Sequence, residues 1–138
     1  MATKKTTTPP PADHGKSAGS PATKPQLKLR MRVSVGEQIA IGPGKIALLE
    51  ALAEQGSITA AAKALDMSYR RAWMLIDELN RSLAEPAVAS ATGGQRGGGS
   101  ELTEAGRRLI ELYRGVEAQA LKACAADIRK LMKLLAKT

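Results

Sequence analysis

Cysteine and histidine each occur only once in this sequence of 138 residues, at Cys124 and His14. Single copies exclude an intrachain disulfide, a zinc site with cysteine and histidine ligands, and a cysteine–histidine catalytic pair. No other acid–base constellation stands out in so short a chain. We therefore predict a protein that is not an enzyme and that binds neither a metal nor another cofactor.

Aromatic residues and long apolar runs are also scarce. The sequence has no phenylalanine, and its aromatic residues are Tyr69, Trp73 and Tyr113. Proteins that stack single-stranded bases usually have more of them. No run of 18 apolar residues occurs, and the N-terminus lacks the apolar core of a signal peptide. We therefore predict a cytoplasmic protein without a membrane partner.

Positive charge is abundant, with 21 basic and 13 acidic residues and a formal net charge of +8. Such an excess favours a polyanionic partner, nucleic acid first and an anionic membrane surface second. Residues 1–26 are rich in proline, threonine and lysine and have too little apolar content to offset the entropy of ordering them. We predict that they form a disordered basic tail, which either solubilises the protein or adds salt-sensitive attraction to DNA.

Residues 57–80 are predicted to form two helices joined by a tight turn. Ser57 and Ser68 each precede a helical apolar pattern, where a hydroxyl can accept a hydrogen bond from a free backbone N–H group. Ala61 and Ala62 lie on the inner face of the first helix and let the two helices approach closely. This pattern indicates a helix-turn-helix.

Upstream of this motif, apolar and polar residues alternate over residues 27–35, which predicts a half-buried strand. Residues 39–41 are predicted to pair back on it as a hairpin before residues 42–44 interrupt this second segment. A first helix follows and stops at Gly56. Its solvent face is predicted to hold Lys45, Glu50 and Glu54.

Downstream of the motif, Pro86 closes the helical pattern. Residues 87–91 and 100–102 are predicted strands around a glycine-dense tip, and this hairpin is typical of the wing of a winged helix. Thr103 begins a helix whose apolar stripe continues to Leu135. A helix that long exceeds the small core, so its distal half is predicted to pack against the same helix of a second subunit.

These elements predict a mainly α fold with a small β wing, a winged helix-turn-helix with a long C-terminal helix. Residues 27–114 would form the DNA-binding domain and residues 115–138 a dimerisation helix. In a helix-turn-helix, the start of the second helix meets base edges in the major groove of double-stranded DNA. The outward-facing positions there are Ser68, Tyr69, Arg70, Arg71 and Met74.

Other candidate contacts lie outside the second helix. Gln95 and Arg96 at the wing tip suit the minor groove, where negative potential attracts arginine, although a loose loop would explain them equally well. Trp73 is assigned to the small core with Ile76. The candidates for backbone phosphates are Ser57, Thr59, Lys63, Arg107 and Arg108.

The motif S-I-T-x-A-A-x-x-L-x-M-S at residues 57–68 resembles the DNA-binding helices of LysR-type regulators. The segments SYRRAW at 68–73, ATGGQRGGGSELT at 91–103 and GRRLIELY at 106–113 are more specifically similar to the N-terminal winged helix of the ModE molybdate-responsive regulators. The resemblance covers roughly residues 27–120. It implies a sequence-specific transcriptional regulator that binds a palindromic operator as a homodimer, with its second motif helix in the major groove.

ModE regulators carry molybdate in small β-barrel domains that follow the winged helix, and we expect none of these before Thr138. The resemblance therefore implies DNA binding without molybdate sensing, and either no ligand or a signal that enters through another partner or site. Two other functions remain open from the residues alone. The fold also suits an architectural, weakly specific DNA-binding protein and a winged helix that binds other proteins.

Overall fold

The structure, a computed structural model, describes residues 24–91 and 99–136. Its elements are β1 (Val33–Val35), β2 (Gln38–Ile41), α1 (Pro43–Gln55), α2 (Ile58–Ala64), α3 (Tyr69–Ser82), β3 (Val88–Ala91), β4 (Gly99–Leu102), α4 (Glu104–Ala123) and α5 (Ala125–Met132). The predicted fold, mainly α with a small β wing, is confirmed. Most of the predicted basic tail (residues 1–23) and the wing tip with Gln95 and Arg96 lie outside the described residues.

The core lies where α1, α2 and α3 meet. Ala61 and Ala62 are buried in it, as their small size predicts, so α2 packs closely against its neighbours. The largest fully buried side chains come from α1 and α3, and they are Ile46, Leu48, Leu49, Leu52 and Leu79. Burial of these apolar side chains positions α3 against α1. The opposite face of α3 stays exposed to solvent.

The predicted strand over residues 27–35 is wrong in its length, because only Val33–Val35 form β1. This strand pairs antiparallel with β2, which confirms the predicted return of residues 39–41. β2 has only four residues, so residues 27–31 have no partner strand in the described part of the chain. Leu27 and Leu29 remain more than a third exposed. The alternating pattern therefore does not correspond to a half-buried strand.

β2 ends at Ile41, so the predicted interruption of this strand at residues 42–44 is confirmed, and helix α1 begins within it at Pro43. Proline suits the first helical position, where its fixed φ is helical and its missing N–H costs no hydrogen bond. The N–H of Ile46 donates to the carbonyl of Gly42 at 3.0 Å. The helix ends as predicted at Gly56, whose φ of 83° lies in the left-handed region that favours glycine.

The wing is held between α3 and α4. β3 pairs antiparallel with β4, and the Oδ1 atom of Asn80 on α3 accepts from the backbone N–H groups of Ala87 at 2.8 Å and Val88 at 3.3 Å. The Nδ2 atom of Asn80 donates to the carbonyl of Val88 at 3.1 Å. On the other side, a Cβ added to Gly106 would lie 2.3 Å from the carbonyl oxygen of Ala87, so only glycine fits there.

The predicted long C-terminal helix extends from Glu104 to Ala123, capped by Thr103, and is interrupted at Cys124. α5 then continues from Ala125 to Met132. Beyond Tyr113, no described residue of α4 or α5 is buried, so tertiary packing does not hold the helix straight. The helix preference of each residue then determines where the helix is interrupted. Cysteine forms helices less readily than the alanines around it.

Candidate nucleic-acid interface

The turn between α2 and α3 sets the orientation of α3. Asp66 adopts a left-handed φ of 57°, and the N–H of Met67 donates back to the carbonyl of Ala62 at 2.9 Å. Ser68 then caps α3, because its Oγ accepts from the N–H of Arg71 at 3.0 Å. This cap, predicted from the sequence, fixes the direction of the first turn of α3.

The first turn of α3 is exposed. Tyr69 and Met74 are 53% and 46% exposed, and Arg70 and Arg71 also face solvent. Four of the five predicted base-facing residues surround one shallow depression of about 210 Å³, and they are Ser68, Arg70, Arg71 and Met74. Tyr69 lies beside them on the same turn. Neither arginine forms an ion pair with a carboxylate in the described ranges, so both guanidinium groups can bind an external acceptor.

Two further candidates lie at the start of α2. The Oγ atom of Ser57 accepts from the N–H of Ala60 at 3.1 Å, which confirms the predicted cap. The cap uses one lone pair and leaves the hydroxyl proton able to donate to a phosphate. Thr59 is exposed on the first turn of the same helix. Both residues are therefore accessible at a helix N-terminus, where a phosphate is favoured.

Arg107, another predicted phosphate contact, lies on α4 and not on the helix-turn-helix. It is exposed on the first turn of α4, and its Nη1 donates to the carbonyl of Leu102 at 3.3 Å. It lines a depression of about 420 Å³ with Arg108 and with Ala53 of α1. The residues described around that depression include none from α3. The structure therefore does not bring Arg107 together with the first turn of α3.

Trp73 is not a core residue, so its predicted role as the core anchor is wrong. It is 48% exposed and lies beside a small depression between α3 and the wing strands. The buried stripe of α3 consists of Ala72, Ile76 and Leu79, at spacings of four and three residues. Each helical residue turns by about 100°, so Trp73 points to one side of this narrow stripe.

Lys45 is also misplaced by the sequence prediction, since it is 6% exposed rather than on the solvent face of α1. Its Nζ donates to the carbonyl of Ile39 at 2.7 Å and lies 3.2 Å from Oε1 of Glu78. One amine thus joins β2, α1 and α3. The sequence spacing does indicate this burial, because Lys45 stands four residues before Leu49 and seven before Leu52, on the buried stripe.

Part of the chain is similar to known helix-turn-helix proteins. Residues 44–107, from the first turn of α1 to the first turn of α4, match the model of the bacterial regulatory helix-turn-helix proteins of the lysR family. These residues form a LysR-type helix-turn-helix domain. The domain contains α2, α3 and both wing strands, whereas β1, β2 and α5 lie outside it.

The relatives of this LysR-type domain extend the comparison. The chain is 39% identical over 97 residues to the molybdenum transport protein ModE of Azotobacter vinelandii, covering 70% of this chain and 36% of that protein. It is 44% identical over 82 residues to the molybdenum-pterin-binding protein MopB of Rhodobacter capsulatus, covering 59% and 30%. It is 39% identical over 88 residues to the DNA-binding transcriptional dual regulator ModE of Escherichia coli K12, covering 64% and 34%.

The chain spans about a third of the length of these curated relatives. Among solved structures, the fold is similar to a chain in the crystal structure of the CbnR_DBD-DNA complex, with a TM-score of 0.50 and 25% identity. That match covers 64% of this chain and 95% of the other. In the described residues, no group of three histidine, cysteine or acidic side chains could hold a metal ion. No helix there is long and apolar enough to cross a membrane.

Proposed function

We propose that this protein regulates transcription by binding double-stranded DNA at specific sites. The observation that carries the proposal is the exposed first turn of α3 in a LysR-type helix-turn-helix domain, with Arg70 and Arg71 both facing solvent. An arginine can donate two hydrogen bonds to the acceptors of one guanine, or it can bind a phosphate. Tyr69 and Met74 add apolar area that can touch a thymine methyl group.

The other candidate residues serve the DNA backbone in this proposal. Ser57 and Thr59 at the start of α2 would bind one phosphate, as helix N-termini do. Gln95 and Arg96, outside the described residues, would enter the minor groove from the wing tip. Arg107 would bind a phosphate only where the DNA bends around α4, because it lies away from α3.

The proposed active form is a homodimer on a palindromic operator. Large apolar side chains remain exposed along α4, α5 and the residues that follow α5, and they are Leu112, Val116, Leu121, Leu131, Leu134 and Leu135. Soluble monomers rarely expose so long an apolar stripe. A two-fold dimer would cover both copies and present two α3 helices to half-sites about 34 Å apart.

The test begins with selection of duplexes from random-sequence DNA by the wild-type chain, followed by titration of the selected duplex at several salt concentrations. We expect a palindromic consensus. Replacing a base-reading arginine, Arg70 or Arg71, by alanine should cost on the order of 1–3 kcal/mol and relax preference at one base pair. Arg81→Ala is the control, because Arg81 lies in the last turn of the same helix.

Three other results would contradict this proposal. If the selected pool has no consensus and bulk DNA competes fully, the protein is a weakly specific, architectural DNA-binding protein. If Arg70→Ala and Arg71→Ala both bind like the wild type, α3 is not the recognition helix. If no duplex is retained, the winged helix binds another kind of partner.

A further inference from the structure

A groove of about 430 Å³ lies beside α3, on the side of the N-terminal arm, which we define as residues 24–41. Its walls are this arm, the first turn of α1 and one side of α3. Its charged lining residues are Arg30, Arg32, Lys45 and Arg71, which are basic, and Glu37 and Glu78, which are acidic. The arm wall of the groove lies wholly outside residues 44–107, so the LysR-type domain alone does not account for the groove.

The charge that this groove presents is positive. Lys45 and Glu78 form an ion pair with an N–O distance of 3.2 Å, so these two charges largely cancel. Three arginines then remain against Glu37. Guanidinium groups stay charged at every physiological pH and present a planar fork of donors that matches phosphate oxygens.

The groove is continuous with the exposed turn of α3, because Arg71 lines both this groove and the depression that holds Ser68, Arg70 and Met74. When a helix enters the major groove of a duplex, the phosphates of the flanking strands lie on either side of it. DNA bound to the first turn of α3 would therefore have one strand beside the arm. Arg30 and Arg32 are both exposed there.

The arm is held in place before any ligand arrives. The carbonyl of Met31, between the two arginines, accepts from the hydroxyl of Tyr113 at 2.9 Å, and Lys45 holds the carbonyl of Ile39 at 2.7 Å. A fixed arm loses less conformational entropy on binding than a free one.

We infer that Arg30 and Arg32 bind backbone phosphates of duplex DNA next to the site that α3 reads, and so extend the interface beyond the helix-turn-helix and the wing. The inference rests on the proposed function. It assigns the arm a sequence-independent role, because phosphates carry no base information. The arm sets affinity and register, while α3 sets the preference among sequences.

The experiment measures the binding of a fluorescein-labelled duplex, recovered by selection with the wild-type chain, over a series of salt concentrations. Each phosphate contact contributes about 0.9 to the slope of log K against log salt, so Arg30→Ala/Arg32→Ala should be shallower by roughly two units. Its selected consensus should equal that of the wild type. Arg30→Lys/Arg32→Lys, which keeps both charges, should restore most of the slope.

The matched control is Lys24→Ala/Lys28→Ala, which removes two charges from the same arm outside the groove. We expect it to change the slope much less. An equal change in both double variants would overturn the inference, because the arm would then act only as diffuse charge. An unchanged slope in Arg30→Ala/Arg32→Ala would also overturn it, while the wild-type consensus would still support the proposed function. A wild-type chain that binds no duplex would overturn both.

Discussion

Arg114 on α4 binds both carboxylate oxygens of Glu50 on α1. Its Nε donates to Oε2 at 2.8 Å and its Nη2 donates to Oε1 at 2.7 Å. The hydrogen bonds from Arg114 lower the pKa of the Glu50 carboxyl below its ordinary value, against the opposing effect of partial burial. The pair ties α4 to α1, through an arginine that lies beyond the LysR-type domain of residues 44–107.

This pair predicts a pH-dependent part of the stability. A carboxyl with a lowered pKa in the folded state stabilises the fold above its unfolded pKa of about 4.3, and the contribution is lost as the pH falls through the lower, folded pKa. Wild type should therefore lose more stability on acidification below about pH 4.3 than Glu50→Gln does. Because the pair is partly exposed, Glu50→Gln should cost no more than about 1 kcal/mol at pH 7.

Urea unfolding at a series of pH values measures this difference. Glu54→Gln, an exposed position on the same helix, is the control and should follow the wild type. Parallel curves for wild type and Glu50→Gln would show that the bidentate pair adds no pH-dependent stability.

Two glycines of α4 should respond in opposite directions to alanine. Gly106→Ala places a methyl group 2.3 Å from the Ala87 carbonyl oxygen, so the backbone of the wing must move. We expect a loss of about 1–3 kcal/mol, typical of overpacking. At Gly115, nothing lies within 4 Å of an added Cβ, and Gly115→Ala should stabilise by about 0.5–1 kcal/mol. Thermal unfolding measures both; a neutral Gly106→Ala would contradict the close approach.

Asn80 is predicted to be essential for wing attachment. Asn80→Ala removes the acceptor for two N–H groups at Ala87 and Val88, which are both buried. Leaving buried donors unsatisfied should cost about 1–3 kcal/mol. Amide hydrogen exchange should accelerate at these two positions more than in α1. Ser82→Ala, at an exposed position of the same helix, should leave their exchange unchanged.

The dimer proposal has its own test. Ile128→Glu/Leu131→Glu places two charges on the apolar stripe of α5, and we expect monomers that keep the winged helix folded but bind the selected duplex far more weakly. Sedimentation measures the mass and circular dichroism the fold. Lys130→Glu, an exposed position between the two, is the charge control and should remain dimeric. A wild-type chain that sediments as a monomer at micromolar concentration would exclude the dimer.

The elements that local chemistry determines were predictable from the sequence. The caps at Ser57, Ser68 and Thr103 and the stop at Gly56 follow from hydroxyl and glycine chemistry next to a helical pattern, and all four are confirmed. The DNA contacts assigned to the first turn of α3 stay a prediction, although the exposure of that turn agrees with them.

The wrong or missing sequence predictions concern residues whose surroundings depend on other parts of the fold. The sequence pattern places Trp73 in the apolar arc with Ile76, but the buried stripe of α3 is narrow and excludes it. The partners of Lys45 lie on β2 and α3, so no local pattern gives its carbonyl and carboxylate contacts. The same holds for Asn80, because its partners follow the helix in a segment whose path depends on the wing.

The bond between Tyr113 and Met31 has a consequence for the order of folding. It joins residues 82 positions apart, so it closes a large loop, and such contacts are entropically costly until the intervening chain is folded. The helices of the core can form from contacts that are closer in sequence. The segment that carries Arg30 and Arg32 leaves the ribosome before α1, yet this contact cannot form until α4 has been synthesised and has docked.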